Sequence, residues 1–200
     1  MIVCKFGGTS VQNKEAIERV IEIIRTRLKE RPVVVVSAFS KVTRMLCEIA
    51  DEAEAKQESG VESLIAQIRE RHISVASELL AGKSDILKET LHRVQGLCDS
   101  LEAFVKGVCM IGELSPRSQA NIISTGELLS STIVSAAMNA YGIKSRWVDA
   151  RRMIITDDNY LSARPDLEAT QTNVRRILSE ESKGCDIILT QGFIASSSSG

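Results

Sequence analysis

Four short polar segments carry the residue types from which a site could be built. The first is Lys5-Phe6-Gly7-Gly8-Thr9-Ser10. Two adjacent glycines let backbone N–H groups approach an anion, a helix start adds partial positive charge, and a lysine supplies a compact cation for a phosphate. The order is not that of a P-loop, whose lysine follows its glycines, nor that of G-x-G-x-x-G. A tight turn with a surface lysine would read the same way. The second segment, Ser37-Ala38-Phe39-Ser40-Lys41-Val42-Thr43, offers small hydroxyls that could hold a carboxylate or phosphate. From residue types alone, a plain helix N-cap explains it better. The third, Ser124-Thr125-Gly126-Glu127, also matches Ser-x-x-Glu, a capping box in which Glu127 would merely satisfy a backbone donor. The fourth joins Asp149-Ala150-Arg151 with Thr156-Asp157, a polar cluster that an ordinary loop would equally produce.

The elements that must position these segments follow from apolar spacing. Residues 2–6 form a short apolar run ended by Gly7-Gly8, and Val33-Val34-Val35-Val36 is a continuous one. Runs of the second kind suit strands buried on both faces of a parallel sheet. Between them Ile17, Val20, Ile21, Ile24 and Leu28 recur at helical spacing, with Pro32 as the expected stop. Strand, helix, strand is a βαβ unit. Three further helical stripes run over residues 42–55, 61–79 and 87–105. Gly82 is placed to end one helix and Ser84 to cap the next, so the last two predict an inserted helical hairpin suited to packing and oligomer contact. Ser115-Pro116 marks another helix start. Residues 143–148, 153–156 and 186–189 read as strands, 170–179 as a helix, and the serine-rich tail from Ser196 as a loop. The alternation predicts an α/β fold: three layers, α/β/α, around a mostly parallel sheet.

Composition narrows the function classes. Lys plus Arg total 25 against 26 Asp plus Glu, so there is no overall basic field for nucleic acid. Aromatics at 4% argue against base-stacking platforms. Five cysteines without a C-x-x-C pair read as reduced thiols, and two histidines without partners at ligand spacing make no metal site. No apolar run is long enough to span a membrane, and Lys5 interrupts any signal-peptide core. The expected setting is cytoplasmic.

Taken together, these segments resemble aspartate kinases of the amino-acid kinase superfamily. The likeness begins with Lys5-Phe-Gly-Gly-Thr-Ser-Val11. It continues in order through Val34-Val-Val-Ser-Ala-Phe-Ser40 with Val42-Thr43, Gly126-Glu127-Leu-Leu-Ser130, Asp149-Ala-Arg151, Thr156-Asp157, Ala163-Arg-Pro-Asp166 and Thr190-Gln-Gly-Phe-Ile194. Lys41 and Ala195 depart from it, each standing where the family usually has glycine.

The resemblance implies an amino-acid-kinase fold and transfer of the ATP γ-phosphoryl group to the side-chain carboxylate of L-aspartate, with Mg²⁺ brought mainly on the nucleotide. It implies a catalytic role for Lys5, with Gly7, Gly8 and Ser10 completing a phosphate cradle. It gives Glu127 the substrate ammonium, Ser37 and Thr43 its carboxylates, and Phe193 the pocket wall. It also implies that residues 1–200 are the N-terminal, substrate-side part of a kinase domain, with the nucleotide-binding half and regulatory ACT domains outside this chain. A homo-oligomer acting on aspartate and ATP, with no nucleic-acid or membrane partner, is expected. The alternatives are a non-catalytic regulatory or assembly subunit that keeps the aspartate pocket, and a kinase of another small acid such as glutamate.

Overall fold

Alternating side chains on two central strands divide the core into two layers. The computed structural model describes residues 1–199. Its elements run β1 (Val3–Phe6), α1 (Lys14–Arg27), β2 (Val33–Val36), α2 (Val42–Glu54), α3 (Glu58–Leu79), α4 (Ser84–Ile111) and α5 (Pro116–Ala140), then β3 (Ser145–Trp147), β4 (Ile155–Thr156), α6 (Leu167–Glu181), β5 (Ile187–Gln191) and β6 (Ser196–Ser197). The main sheet is wholly parallel in the order β1-β2-β5-β3. Val34, Val36, Ile187 and Leu189 face the large core shared with α1 to α5. Val33, Val35 and Ile188 point the other way, onto Val174, Ile177 and Leu178 of α6. Burial on both faces is what the unbroken valine run of β2 requires.

Helix ends follow local chemistry, with some departures from the sequence reading. Asn13 caps α1, accepting from the Ala16 N–H at 3.0 Å. The helix ends at Arg27, before Pro32 is reached, and passes through a 3-10 turn at Leu28–Glu30. Arg31 then takes a left-handed φ of 51° as the closing residue of that turn, its N–H donating to the Leu28 carbonyl at 3.0 Å. The expected cap at Ser84 is not formed: Lys83 is the capping position, no side chain caps α4, and Ser84 is its first helical residue. Ser115 and Pro116 start α5 as expected, with the Ser118 N–H donating to Ser115 Oγ at 3.1 Å.

The hairpin of α3 and α4 packs on α2 and α5 and is laced by Arg69, which donates to Asp99 at 2.6 Å and Glu102 at 3.1 Å. The serine tail is not all loop. Ser196–Ser197 pairs in parallel with Ile155–Thr156 as a separate two-stranded sheet. That pairing uses backbone groups, as in the Ser196 N–H to Ile154 carbonyl bond of 3.1 Å, so no apolar pattern announces it.

Candidate active site

The carboxyl ends of β1, β2 and β5 bring three of the four polar segments within reach of one another. β1 runs into Gly7 and a 3-10 turn, Gly8–Val11, which no side chain caps. β2 runs into residues 37–41. The Ser37 N–H donates to the Phe6 carbonyl and the Ser40 N–H to the Gly8 carbonyl, each at 3.2 Å. A Cβ on Gly8 would stand 2.8 Å from the Ala38 carbonyl oxygen, so this close crossing needs glycine. Beside Gly7 no heavy atom lies within 4 Å of such a position, leaving the backbone open to a ligand. Lys5 is exposed on the face of β1 that α6 leaves uncovered, where Val3 is also 70% exposed.

Helix α5 presses the third segment against the second. Gly126 lets the helix approach: a Cβ there would lie 3.0 Å from both Ala38 Cβ and Leu46 Cδ1. Ser130 Oγ donates to the Ser37 carbonyl at 2.8 Å. Glu127 is only 2% exposed, and its Oε1 accepts a long 3.4 Å bond from the Ala38 N–H, while Oε2 has no partner among the described residues. Burial pushes its carboxyl up to about 6, against the weaker opposing pull of backbone N–H groups. The capping-box alternative is excluded, because Glu127 sits in mid-helix and reaches across to a different element. Ser124 Oγ donates instead to the Asn121 carbonyl, one turn back.

The second segment is not a plain N-cap either. Position 41 precedes α2, no side chain caps that helix, and Lys41 holds φ at 72°. This left-handed conformation is the physical reason a glycine suits that position. Ser37 and Thr43 flank the loop, both half-buried.

From β5, the Gly192 N–H donates to the Val36 carbonyl at 2.9 Å. Phe193, expected to wall a pocket, stands 85% exposed at φ 68° and encloses nothing among the described residues. Gln191 has a structural part that residue types alone did not suggest. Its Oε1 accepts from the Ala150 N–H at 2.8 Å and its Nε2 donates to Ser131 Oγ at 2.8 Å, tying the fourth segment to α5. Within that segment Asp149 is engaged by Arg151 at 2.7 Å, and Asp157 accepts from the Asn159 and Arg164 N–H groups. These are loop-holding contacts. A 460 Å³ cleft lies elsewhere, between α4, α5 and β3, and none of its lining residues belongs to the four segments. Among the described residues, no three His, Cys, Asp or Glu side chains cluster to hold a metal, and no helix is long and apolar enough to cross a membrane.

A parallel sheet whose two central strands are covered on both faces, with glycine-rich and acidic groups gathered past the strands' carboxyl ends, defines an α/β domain that binds small ligands at that edge. A sequence profile of the amino acid kinase family matches residues 1–200, and the chain belongs to that family. The aspartokinase of Chlamydia muridarum is 36% identical over 203 residues, covering 100% of this chain and 40% of the relative. Chloroplastic aspartokinase 3 of Arabidopsis thaliana is 34% identical over 196 residues, covering 96% of this chain and 34% of the relative. The crystal structure of E. coli aspartokinase III in complex with aspartate and ADP superposes with a TM-score of 0.86 at 25% identity, over 100% of this chain and 42% of that one. The chain thus spans about two fifths of the length of these bacterial aspartokinases.

Proposed function

We propose that the protein carrying this chain is an aspartokinase, and that residues 1–200 form the N-terminal, substrate-side part of its kinase domain. The observation that carries the reading is Glu127: a buried carboxylate with one oxygen unpartnered, set against the loop that follows β2. A carboxylate held this way lacks only a cation, and the α-ammonium of an amino acid supplies one with charge-assisted hydrogen bonds. The sequence likeness to aspartokinases, and the aspartate and ADP bound to the E. coli relative, support aspartate and ATP as the substrates.

The chemistry suits these residues. The side-chain carboxylate of aspartate, with an ordinary pKa of about 3.9, is already ionised at neutral pH, so no general base is required. The obstacle is repulsion between an anionic nucleophile and an anionic phosphoryl group, which leaves positioning and charge neutralisation as the protein's task. Lys5 provides the cation for the transferring phosphoryl group. Gly7, Gly8 and Ser10 shape the backbone beside it, and the open space at Gly7 fits an approaching phosphate. Ser37 and Thr43 orient the aspartate carboxylates and Glu127 holds its ammonium; Phe193, exposed in this structure, would line the aspartate pocket. Mg²⁺ carried on the nucleotide would add charge neutralisation between the phosphates. The product, 4-phospho-L-aspartate, opens the route to lysine, threonine and methionine, and a cytoplasmic homo-oligomer is the form we expect.

The test is aspartate-dependent ADP release by the intact protein, with Glu127→Gln raising the KM for aspartate at least tenfold and that for ATP little. Absence of aspartate-dependent turnover, or equal turnover of glutamate, would reject the reading. Aspartate binding in calorimetry without any turnover would assign the regulatory or assembly role instead.

A further inference from the structure

We propose that Arg71 of α3 is a positioning residue that fastens the turn after β1 to the loop after β2, with the stacked rings of Phe39 and His72 as the floor beneath. Its Nη1 donates to the Ser40 carbonyl at 2.7 Å and its Nη2 to the Gln12 carbonyl at 3.3 Å. Gln12 closes the Gly8–Val11 turn; the Ser40 N–H itself donates to the Gly8 carbonyl, and the Ala38 N–H of the same loop donates to Glu127. One planar guanidinium therefore bridges the two segments assigned to phosphate and to aspartate. Its carbon lies 5.9 Å from the Phe39 ring centroid. That ring is buried and stacks on His72 at 4.6 Å between centroids, with 4° between planes.

Two features set Arg71 apart from a surface arginine. It is partly buried yet forms no ion pair with a carboxylate among the described residues, so its charge faces two backbone carbonyls and the Phe39 ring. Its fork also spans two acceptors from different loops, which a lysine ammonium cannot match in geometry. His72 is locked in turn: its Nδ1 donates to the Ile68 carbonyl at 2.6 Å, since a carbonyl can only accept, and its ring is fully buried. Phe39 is thus held from α3, and the loop carrying Ser37, Ala38 and Ser40 has little freedom to drift from Gly8. Positional errors of about 1 Å in such constellations cost up to ~10²-fold in rate.

The inference rests on the aspartokinase reading for its kinetic arm but not for its structural one. In the intact protein, Arg71→Met should raise the KM for aspartate about tenfold, since the shorter bond goes to the aspartate loop, while the KM for ATP shifts less than about threefold. Arg71→Lys, able to reach one carbonyl, should recover part of that loss. Ile177→Ala, which loosens the opposite face of the sheet, should lower the melting temperature without moving the KM for aspartate. Amide hydrogen exchange in Arg71→Met should accelerate in residues 8–12 and 37–43 and remain unchanged in β5. An unchanged KM for aspartate in Arg71→Met, an equal rise in Ile177→Ala, or uniformly faster exchange would each overturn the proposal. If the parent protein turns over no aspartate, the functional reading fails, and the exchange pattern alone decides the clamp.

Discussion

Replacing Glu127 with glutamine removes a charge while keeping the side chain's shape, and burial sets what that does to stability. In the folded chain the carboxyl is pushed from 4.5 up to about 6 by desolvation. That gap corresponds to about 2 kcal/mol of preference for the protonated form in the native state. The native state binds this proton more tightly than the unfolded chain. The stabilisation is therefore full below pH 4.5, falls as pH rises toward 6, and is gone above it. His72 works in the opposite sense: burial lowers it from 6.5 to about 4, so its contribution is present above 6.5 and lost as pH falls toward 4.

Comparing parent and variant at each pH cancels His72. It also separates the charge from the buried amide of the variant, whose penalty of about 1–3 kcal/mol does not vary with pH. Urea unfolding of the parent and of Glu127→Gln at pH 4 and pH 8 should show the stability difference moving by about 2 kcal/mol in favour of the variant, equivalent to roughly 4–8 °C in melting temperature. Saturating aspartate at pH 8 should stabilise the parent much more than the variant, because the ammonium supplies the partner that Oε2 lacks. A stability difference that stays constant from pH 4 to pH 8 would show that Glu127 carries no burial penalty, and its assigned role would fall with it.

Three other outcomes follow from the same geometry. Lys5→Ala in the intact protein should lower kcat by about 10²-fold or more with little change in melting temperature, because the side chain is exposed on an uncovered strand. Activity within a few-fold of the parent, measured by steady-state kinetics, would remove Lys5 from the mechanism. Lys41→Gly should stabilise the fold by about 1 kcal/mol, read as a higher urea midpoint, since a side chain at φ 72° is strained and glycine is not. Gly8→Ala should destabilise by about 1–3 kcal/mol and raise the KM for aspartate, because the new methyl group meets the Ala38 carbonyl at 2.8 Å and the loop must move.

What the sequence determined by itself was the local grammar. The valine run of β2, the Ser115-Pro116 helix start, the hairpin turn at Gly82 and the parallel α/β order all rest on periodicity, caps and breakers that act within a few residues of one another. The order of motifs also carried the resemblance to the family, whether a motif follows a strand, as Gly7-Gly8 does, or lies in mid-helix, as Glu127 does. Tertiary structure alone decided the rest. Ser124-x-x-Glu127 looks like a cap in one dimension. Only the packing of α5 on the Ala38 loop, 89 residues away in sequence, strips Glu127 of water and leaves Oε2 unpartnered. Lys41 gives no hint of a left-handed backbone until the loop must turn from β2 into α2. Arg71 is one of 25 basic residues, and nothing local distinguishes it from those on the surface. The serine tail pairs as β6 through backbone groups that every residue possesses. Burial, desolvation and hydrogen bonding between residues distant in sequence are properties of neighbours brought together by folding, so no local pattern encodes them.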